Sequence, residues 1–430
     1  MRLNWSEETG FYSQKGEYFM KKVFERSVIG TIELKNRILR SATHEGMGDK
    51  SGKPIKEFYD LYEKLAKGGA GGIITGYVGV KQNGKAVFNM RMFDKDEYVA
   101  DYKDFNLKLK NDNTPIILQI AHAGSQTSSK ITGEIPLTVS PMKNFYGERC
   151  KEANESEIED IIDCFVKSIE RAKKAEFAGV QLHAAHGYLL SEFVSPFLNK
   201  RKDKWGGNLE NRFRILREIL QRSREKVDHF PIWLKVSAFD ENRNGKELDE
   251  IIKGCQMLQE NGCDAIEVSC GYGFKNPFEM VRVPKIPVEA MLALIPNFRN
   301  YSSLKRVLFK IMVPFVIKKY KPIHNYNVNS AERIKKNLDI PVIVVGGIRT
   351  LSDIENVIET RGIDFVSMCR PFIIEPNIVN KFQERKATES KCIDCGYCLL
   401  GVGTKKLKCY FGKIGSETKS LIAKTAVMSS

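Results

Sequence analysis

His183, His186 and Tyr188 place two imidazoles and a phenol within six residues of one another. The apolar run Val180–Leu182 predicts a short buried strand that ends just before them, and Gly187 supplies the turn. Two imidazoles at a strand exit can converge on one oxygen atom, and the phenol is near enough to pass a proton. These groups could therefore polarise a carbonyl group and protonate a neighbouring carbon. A metal-binding pair or two ordinary surface histidines are the alternatives, but two of the chain's six His within four residues favour catalysis.

The elements that must position these groups are indicated by eight short apolar runs, each followed by a helix-length segment. The predicted strands are Arg37–Ala42, Gly72–Thr75, Pro115–Ile120, Gly179–Leu182, Ile232–Val236, Ala265–Ser269, Pro341–Val345 and Phe365–Met368. Amphipathic stretches between them include Ile158–Ala175, Asn211–Glu225 and Leu248–Asn261. Because strands and helices alternate without a doubly wound half, the sequence predicts the α/β class with a closed (β/α)8 TIM barrel.

Polar or small residues occur at or just after the end of every predicted strand. They are Thr43 and His44, Gly76 and Tyr77, Gln119 and His122, His183 and His186, Lys235, Ser269, Gly346 and Gly347, and Arg370. In a TIM barrel this end of the strands is the catalytic face. One such residue is ordinary, but their presence at all eight ends predicts a single active site.

Gly346-Gly347 and Arg370 follow the seventh and eighth predicted strands. The loops after these two strands commonly hold a phosphate in TIM barrels, because glycine lets backbone N–H groups approach an anion closely. Simple turn formation is the alternative. The pairing with an arginine in the next unit favours a bound phosphate.

Lys235 and Gln119 are polar residues inside apolar strands. A buried lysine is costly unless it is paired, so Lys235 either bridges to an acid such as Glu267 or serves as a fixed cation for a ligand. A flavin gains electron density on its pyrimidine side when reduced, and a cation there would stabilise it. The amide of Gln119 also suits a flavin's pyrimidine edge.

Four cysteines cluster near the C-terminus as Cys392, Cys395, Cys398 and the more distant Cys409. Three thiolates in a C-x2-C-x2-C pattern with a remote fourth are typical of a [4Fe–4S] site. Structural zinc prefers two C-x2-C pairs, so zinc or a vestigial motif are the alternatives. The other six of the ten Cys are expected to be small apolar core residues.

The composition indicates a large globular protein: 430 residues, 42% hydrophobic, with a net charge of +15. No apolar run reaches the roughly 18 residues needed to span a bilayer. The N-terminus lacks the apolar stretch of a signal peptide, so we expect a cytoplasmic protein. Lysines are spread along the chain and no nucleic-acid motif with interleaved aromatics occurs, so the charge favours an anionic small molecule over nucleic acid. A homo-oligomer remains open.

The chain divides into an extension (1–19), a barrel (20–388), a Cys-rich segment (389–415) and a tail (416–430). An insertion of the barrel is expected at about 275–335, between the sixth and seventh strands. From Ala290 to Ala331 it carries seven Lys or Arg and no acid. A lid over the barrel mouth is one interpretation. The other is a docking surface for an anionic substrate, a membrane or a redox partner.

Taken together, these motifs resemble the Old Yellow Enzyme family of FMN-dependent ene-reductases over about residues 21–386. The resemblance rests on Leu34-Lys-Asn-Arg37, Gln119-Ile-Ala-His-Ala-Gly124, the His183–Tyr188 run with Ser195-Pro196, and Trp205-Gly-Gly-Asn-Leu-Glu-Asn-Arg212. The Cys cluster after the barrel is similar to the branch that contains 2,4-dienoyl-CoA reductase and trimethylamine dehydrogenase.

The resemblance implies a role for each candidate residue around an FMN at the barrel mouth. Residues expected to line the isoalloxazine are Ser41, Ala42, Thr43, Gly76 and Tyr77. Gln119 and Lys235 would meet its pyrimidine and N1 side, and Gly346, Gly347 and Arg370 its phosphate. His183 and His186 would hold the substrate carbonyl oxygen, and Tyr188 would be the proton donor. A [4Fe–4S] cluster would be held by Cys392, Cys395, Cys398 and Cys409.

Three features depart from the family's pattern. His44 stands where relatives often have Cys or Thr near the flavin, so a covalent flavin link is not supported. Lys235 replaces the usual arginine, which keeps the charge but loses the bidentate fork. Only about twenty residues follow Cys409, whereas larger relatives continue into FAD- and NAD-binding domains. Electrons would therefore come from a ferredoxin or a partner reductase, or directly from NAD(P)H with a structural cluster.

The predicted function is an FMN-dependent oxidoreductase that saturates the alkene of an enone or enoyl thioester. A flavin-dependent amine dehydrogenase or demethylase is an alternative, but it would need an aromatic cage for a cationic amine. An electron-transfer subunit of a larger redox complex is the third possibility, and the intact His and Tyr residues speak against it.

Overall fold

The computed structural model describes most of the chain. The described residues are 22–111, 113–238, 246–272, 278–403 and 405–414, with short strands at 4–5, 10–12 and 18–20. Those three strands, Asn4–Trp5, Gly10–Tyr12 and Tyr18–Met20, pair antiparallel within the expected N-terminal extension and its junction. The rest of that extension, the expected tail at 416–430 and residues 275–277 of the expected insertion lie outside the described residues.

Eight parallel strands form a closed barrel, which confirms the predicted fold class. In chain order they are β1 Ile38–Arg40, β2 Gly72–Ile74, β3 Ile116–Ala121, β4 Gly179–Ala184, β5 Ile232–Ser237, β6 Ala265–Ser269, β7 Val342–Val345 and β8 Phe365–Met368. Each strand pairs with the next, and β8 pairs with β1 to close the ring.

Helices surround the barrel on the outside. They are α1 Lys56–Lys67, α2 Tyr98–Asn111, α3 Glu155–Lys174, α4 Leu209–Val227, α5 Lys246–Glu260, α6 Val328–Lys335, α7 Leu351–Glu355 and α8 Ile378–Gln383. Helix α3 shows why they form: Asn154 and Glu157 make a capping box at its start, and its buried residues recur at helical spacing from Ile158 to Ala172.

The interior of the barrel changes from apolar to polar along its axis. Trp233, Ala265, Ile343 and Phe365 form an apolar layer near the N-terminal ends of the strands. An antiparallel hairpin, Ser27–Ile29 with Ile32–Leu34, packs its own apolar residues against this layer. Because alternate strand residues point to the same side, the next inward positions toward the C-terminal ends carry polar side chains. The barrel therefore has a sealed base and a polar upper layer.

The shorter elements lie in the connecting segments. The additional helices are Lys22–Phe24, Gln82–Gly84, Ser129–Thr132, Leu189–Val194, Val288–Leu294, Pro296–Arg299, Ser303–Val316, Arg370–Ile374 and Tyr397–Val402, with a π-helical turn at Asn356–Thr360. The additional strands are Val78–Gly79, Leu137–Thr138, Met142–Lys143 and Arg149–Glu152. Within the described parts of the chain, no helix has both the length and the apolar character needed to cross a membrane.

The insertion and the Cys-rich segment pack together over the catalytic face. The helix Val288–Leu294 contacts both Ser303–Val316 and Tyr397–Val402. Leu400 joins the small apolar core that Phe278 and Met291 form in the insertion. We call the described residues of 278–322 and 389–414 the cap.

The insertion is shorter than expected at its C-terminal end. Residues 328–335, the C-terminal end of the expected insertion, form α6, the regular barrel helix before β7. Its residues Val328, Ala331 and Ile334 are buried at helical spacing, and the helix contacts β7 and α5. Because the preceding segment is basic, the sequence did not show where this amphipathic helix begins.

Candidate active site

A cavity of about 300 Å³ opens at the C-terminal ends of the strands, between the barrel and the cap. All the barrel residues proposed from sequence line it except Ser41, Gly76 and His122. Those that do are Ala42, Thr43, His44, Tyr77, Gln119, His183, His186, Tyr188, Lys235, Ser269, Gly346, Gly347 and Arg370. The structure thus brings together side chains that are spread over more than three hundred residues of sequence.

His183, His186 and Tyr188 form one aromatic cluster at the exit of β4. The ring centroids of His183 lie 5.1 Å from His186 and 4.6 Å from Tyr188. The Nδ1 atom of His183 is buried without a hydrogen-bond partner among the described residues. A buried polar atom without a partner is costly, so this atom is suited to a ligand or an ordered water.

His186 is held more firmly than its neighbour. Its Nε2 atom contacts the Ser269 hydroxyl at 2.7 Å, and its carbonyl accepts a hydrogen bond from Gln126 Nε2 at 2.6 Å. Its backbone has a φ of 62°, a left-handed conformation that turns the chain toward Gly187. Ser269 therefore orients this imidazole, and a ligand oxygen that meets Nε2 must share or replace that contact.

Burial sets the protonation of all three groups. It lowers the pKa of His186 to about 3, with the charge of Lys235 acting in the same direction. The pKa of His183 is also well below its usual value because of burial, His186 and Lys235. Burial and the neighbouring Tyr77 phenol hold the pKa of Tyr188 well above 10. At neutral pH the cluster consists of two neutral imidazoles and a protonated phenol, all able to donate hydrogen bonds.

The backbone of Gly76 is fixed by a buried carboxylate, Glu45. Glu45 accepts a hydrogen bond from the Gly76 amide at 2.7 Å and pairs with the guanidinium groups of Arg40 and Arg91. A Cβ at Gly76 would lie 2.1 Å from Glu45, so no side chain fits there. Gly76 is thus a positioning element behind the cavity wall.

His44 lies on the ring of Tyr77, with centroids 4.9 Å apart and planes only 12° from parallel. Burial lowers the pKa of His44 to about 4, so its ring is neutral at physiological pH. The residue lines the cavity at the position where a departure from the family's pattern was noted. It presents a flat, uncharged surface to whatever occupies the cavity.

The polar upper layer of the barrel is a continuous hydrogen-bonded chain. Gln119 Nε2 donates to Gln181 Oε1 at 2.7 Å, and Gln181 Nε2 donates to Glu267 Oε2 at 2.8 Å. Lys235 Nζ lies 3.1 Å from Glu267 Oε2 and 2.9 Å from Ser41 Oγ. Strand register causes this arrangement, because Gln181 pairs with Gln119 and Lys235 pairs with Glu267 across neighbouring strands.

The structure shows the ion pair expected for Lys235, whereas its role as a cation for a ligand stays a proposal. It is paired with Glu267, and it also lines the cavity. Burial alone would raise the pKa of Glu267, but Lys235 and hydrogen bonds from Ser367, Ser41 and Gln181 lower it overall. The carboxylate is therefore ionised and holds Lys235 as a fixed cation under the cavity. Ser41 belongs to this layer, which is why its hydroxyl does not line the cavity.

Gly346 and Gly347 are needed for close packing. Their φ angles are 141° and 73°, and added Cβ atoms would lie 2.7 Å from Tyr326 and 2.3 Å from the carbonyl of Ile323. The turn interpretation is therefore sufficient to explain these glycines. Their backbone still lines the cavity, so a phosphate-binding role stays a proposal.

Two buried arginines lie at this end of the cavity, and Asp394 of the cap bridges them. Arg370 Nη1 is 3.0 Å from Asp394 Oδ1, and the guanidinium of Arg349 makes a close contact with the same oxygen. Asp394 also contacts Nε2 of His324 at 3.0 Å. One carboxylate thus neutralises only part of the charge, and the end of the cavity keeps the cationic character that suits a phosphate.

The four cysteines of the C-terminal segment line one small cavity. All four are free thiols, and Cys398 also lines the main cavity. Burial raises the pKa of Cys398 to about 12, and the nearby thiols Cys392 and Cys395 act in the same direction. The four thiols share one cavity, and an iron–sulfur cluster held by them stays a proposal.

The described residues do not form a preassembled metal-binding site. Among the described residues, no group of three or more His, Cys, Asp or Glu, the four C-terminal cysteines included, is arranged to hold a metal ion. The metal-pair interpretation of His183 and His186 therefore lacks a third ligand in the described part of the cavity. The aromatic cluster is better explained by an organic ligand.

Several cavity residues were not foreseen from sequence. They are Gln126, Met280, Val281, Tyr326, Arg349, Leu399, Val402 and Leu407. Most come from the cap, where no strand periodicity indicates which residues face inward. Arg349 could have been predicted from the sequence, because it follows Gly346-Gly347 by two residues. A charged residue just after a buried strand is costly to bury unless it is paired, so it is expected to bind a partner or a ligand.

The hydrogen-bond donors and cations that line the cavity have the chemistry needed to bind a flavin mononucleotide. The amide of Gln119 and the ammonium of Lys235 lie under one part of the cavity, and the cationic end with Arg349 and Arg370 also lines it. Tyr77 and His44 provide flat ring surfaces on its wall. A ring system with a polar edge and a phosphate tail matches these groups.

Comparisons with known proteins agree with this geometry. A family model described as the NADH:flavin oxidoreductase / NADH oxidase family matches residues 22–272. A second model, dihydrouridine synthase, matches residues 318–415. Neither match includes residues 273–317, which hold most of the insertion.

Several curated proteins are similar over most of the chain. An NADH oxidase of Thermoanaerobacter brockii is 33% identical over 384 residues, which cover 88% of this chain and 53% of that protein. A metal reductase of Desulforamulus reducens is 28% identical and covers 87% and 51%. An NADPH dehydrogenase of Bacillus pumilus is 28% identical and covers 83% and 92%. The chain spans about half the length of the first two relatives.

Solved structures share the fold. A 2-naphthoyl-CoA reductase complex superimposes with a TM-score of 0.75 and 22% identity, covering 92% of this chain and 58% of that one. An Old Yellow Enzyme homologue from Zymomonas mobilis gives a TM-score of 0.68 and 20% identity, covering 90% and 99%. At these identities the likeness establishes the architecture.

Proposed function

Because the chain belongs to the NADH:flavin oxidoreductase / NADH oxidase family, we propose that it is an FMN-dependent oxidoreductase that reduces the carbon–carbon double bond of an α,β-unsaturated carbonyl compound. The observation that carries the proposal is the convergence of His183, His186 and Tyr188 on one cavity above Lys235. Curated relatives named NADH oxidase and NADPH dehydrogenase support NAD(P)H as the electron source.

The two imidazoles bind and polarise the substrate carbonyl. Both are neutral at physiological pH because burial lowers their pKa values, so each can donate an N–H without carrying charge. His183 offers the first contact, since one of its ring nitrogens lacks a partner in the described chain. Negative charge that develops on the carbonyl oxygen is stabilised by these preorganised donors.

Tyr188 holds the proton that the α-carbon receives. Its raised pKa keeps the phenol protonated until the substrate becomes strongly basic. Tyr77, whose hydroxyl interacts with that of Tyr188, can replenish or orient this proton. When FMN is bound, the chemistry that it supplies is hydride transfer to the β-carbon.

The remaining proposed residues hold the cofactor. Gln119 and Lys235 would bind the pyrimidine edge and its N1 side, where the fixed cation favours negative charge on the ring. Gly346, Gly347 and Arg370 would hold the phosphate, with Arg349 as an additional cation. Ala42, Thr43 and Tyr77 would contact the ring system, supported from behind by Ser41 and Gly76.

The C-terminal cysteines would hold a [4Fe–4S] cluster, which would supply one-electron transfer next to the flavin site. Cys398 lines both the thiol cavity and the main cavity, so the two sites share a wall. A ferredoxin or partner reductase could deliver electrons through this wall. An NAD(P)H-linked reaction with a structural cluster is the competing route.

The test is a cofactor analysis followed by an anaerobic screen of the full chain. The proposal expects FMN, about four iron atoms and acid-labile sulfide per chain. NADH, NADPH and reduced ferredoxin are then each combined with cyclic enones and enoyl thioesters. Formation of the saturated product supports the proposal, and a protein that binds no flavin or reduces no activated alkene contradicts it. Oxidation of trimethylamine instead would establish the amine dehydrogenase alternative.

A further inference from the structure

The helix Ser303–Val316 in the cap exposes a long apolar surface. Its exposed apolar residues are Leu304, Val307, Leu308, Ile311, Met312, Phe315 and Val316. Phe315 is 88% exposed and Val316 75%. No residue of this helix is buried. Contiguous exposed apolar surface of this kind marks a contact site in a folded protein.

The exposed residues form a single stripe. They recur at intervals of three and four, which is the spacing of one face of an α-helix. The other face carries Phe309 and Val313, which pack against the apolar core of the cap beside Met291. The helix is therefore anchored on one side and lacks a described partner along the other.

Positive charge surrounds this stripe. Between Ala290 and Ala331 the chain carries seven Lys or Arg and no acid. Lys305 and Lys310 border the stripe on its two sides, and Lys318, Lys319 and Lys321 follow just beyond the helix. Lys310 Nζ lies 2.8 Å from Glu289 Oε1, and Glu289 is the one acid that contacts a lysine named here among the described ion pairs. The combination of a protruding apolar face with flanking cations is typical of helices that lie in a membrane interface.

A second copy of the chain is a poor occupant for this face. In a symmetric dimer the same patch meets itself, so the basic residues would face one another without acids from this segment to balance them. An anionic lipid surface satisfies both the apolar and the charged groups. Fourteen residues rise only about 21 Å, short of the roughly 30 Å needed to span a bilayer, so the helix can lie on a membrane but not cross it.

We propose that the helix Ser303–Val316 docks the protein onto anionic lipid bilayers, with its apolar stripe in the interface and its lysines among the headgroups. The helix packs on Val288–Leu294, which in turn contacts Tyr397–Val402 on the cavity wall. Docking would therefore bring the catalytic face of the barrel toward the lipid. The proposal does not depend on the flavin chemistry, because membrane binding is measured without turnover.

The experiment is flotation of the full-length protein with vesicles. One set contains phosphatidylcholine with about 25% phosphatidylserine, and the other contains phosphatidylcholine alone. The wild-type protein should float with the anionic set, and its partitioning should fall at high salt because surface attraction is screened. Equal binding to both sets, or binding to neither, would overturn the proposal.

Two double variants test the two components of the surface. Ile311→Asp with Phe315→Asp should weaken partitioning about a hundredfold, because two inserted side chains are replaced by anions. Lys305→Glu with Lys319→Glu should weaken it about tenfold or more. All four residues are exposed, so neither variant removes a buried contact.

Matched controls carry the same changes elsewhere. Val28→Asp alters an exposed apolar residue of the hairpin at the base of the barrel, and Lys64→Glu with Lys103→Glu reverses two exposed charges on α1 and α2. These controls should float like the wild type. If they lose binding as strongly as the helix variants, the helix is not the docking site.

Two further readouts separate membrane docking from the other occupants. Phe315→Trp should show a blue-shifted indole emission when anionic vesicles are added, because the ring enters an apolar layer. Sedimentation velocity shows whether Ile311→Asp with Phe315→Asp converts a dimer to a monomer. If that variant converts a dimer to a monomer, the stripe is a contact between copies of the chain, and the proposal is contradicted. Saturable binding to polyglutamate without vesicle binding would also contradict it, because the stripe would then bind an acidic protein.

Discussion

The barrel side and the cap side of the cavity hold their residues in different ways. On the barrel side, strand register fixes side chains such as Lys235 beside Glu267, and these two belong to a buried hydrogen-bonded network. On the cap side, Met280, Val281 and Leu399 come from separate segments that pack through small apolar cores. The barrel therefore holds its cavity residues by backbone pairing between strands, whereas the cap holds its own by apolar packing between separate segments.

The two sides also differ in their likeness to known proteins. The family match covers residues 22–272, which include β1 to β6 and all of the His183–Tyr188 cluster. The insertion helix Ser303–Val316 falls between the two matched stretches. The exposed stripe of this helix therefore lies outside the residues that either family model matches.

The largest expected effect comes from the barrel side. Tyr188→Phe should slow alkene reduction by about 10²- to 10⁴-fold, because the α-carbon loses its proton donor. Reduction of the flavin by NAD(P)H should change little. Tyr326→Phe is the matched control, since it removes a phenol from the other wall that donates to Met280 O at 2.9 Å. Equal loss in both half-reactions, or an equal loss in the control, would remove Tyr188 as the donor.

The next largest effect tests the ion pairs that join the cap to the barrel. Asp394→Asn should lower the free energy of unfolding by about 3 kcal/mol, because Arg349 and Arg370 lose their buried counter-ion. Chemical denaturation of the full chain measures it. Asp203→Asn, which alters a half-exposed partner of Arg201, should cost less than about 1 kcal/mol. If the two variants are equally stable, Asp394 does not lock the cap to the barrel.

Acid should destabilise the barrel side through its buried imidazoles. Burial lowers the pKa of His122 from 6.5 to about 3. Between pH 6.5 and about pH 3, His122 is protonated in the unfolded chain but neutral in the folded chain. The free energy of unfolding therefore decreases as the pH drops below 6.5. At about pH 5 the loss is on the order of 2 kcal/mol for this residue.

The measurement compares unfolding midpoints of the wild type and His122→Gln at about pH 7 and about pH 5. The variant should lose less stability on acidification than the wild type. His229→Gln, at an exposed histidine on the outer surface, serves as the control and should follow the wild type. A wild-type protein that is equally stable at both pH values would show that the imidazoles are not held neutral.

The smallest effect concerns ligand orientation. His183→Ala should weaken binding of a phenol ligand about tenfold, the value of roughly one hydrogen bond. FMN should stay bound, because no contact proposed for the cofactor involves this side chain. Spectral titration of the flavin band measures both quantities. Loss of FMN from this variant would contradict the assignment of His183 to the substrate carbonyl.

Most of the barrel side could be predicted from the sequence, because strand periodicity and strand-end chemistry are local signals. The eight predicted strands overlap β1 to β8, and the polar strand ends lie together as expected. The bridging role of Asp394 could not be foreseen, because it depends on how a segment after the barrel folds back onto Arg349 and Arg370.

The cap side was only partly predictable for the same reason. The sequence indicated an apolar and basic insertion, but it did not show that α6 begins at Val328 or that Leu400 packs into the insertion. Gly346 and Gly347 illustrate a further limit. A glycine pair is compatible with both a phosphate cradle and tight packing, and only the three-dimensional neighbours reveal the packing against Ile323 and Tyr326.

The central claim is that the cavity transfers a hydride and a proton to an activated alkene. The most direct measurement is an anaerobic titration of the fully reduced protein with a cyclic enone. The account predicts that the oxidised flavin band returns as the enone is added, with one saturated product formed per flavin reoxidised by two electrons. A reduced protein that stays reduced in excess enone and enoyl thioester, although it is reoxidised by oxygen, would contradict the account.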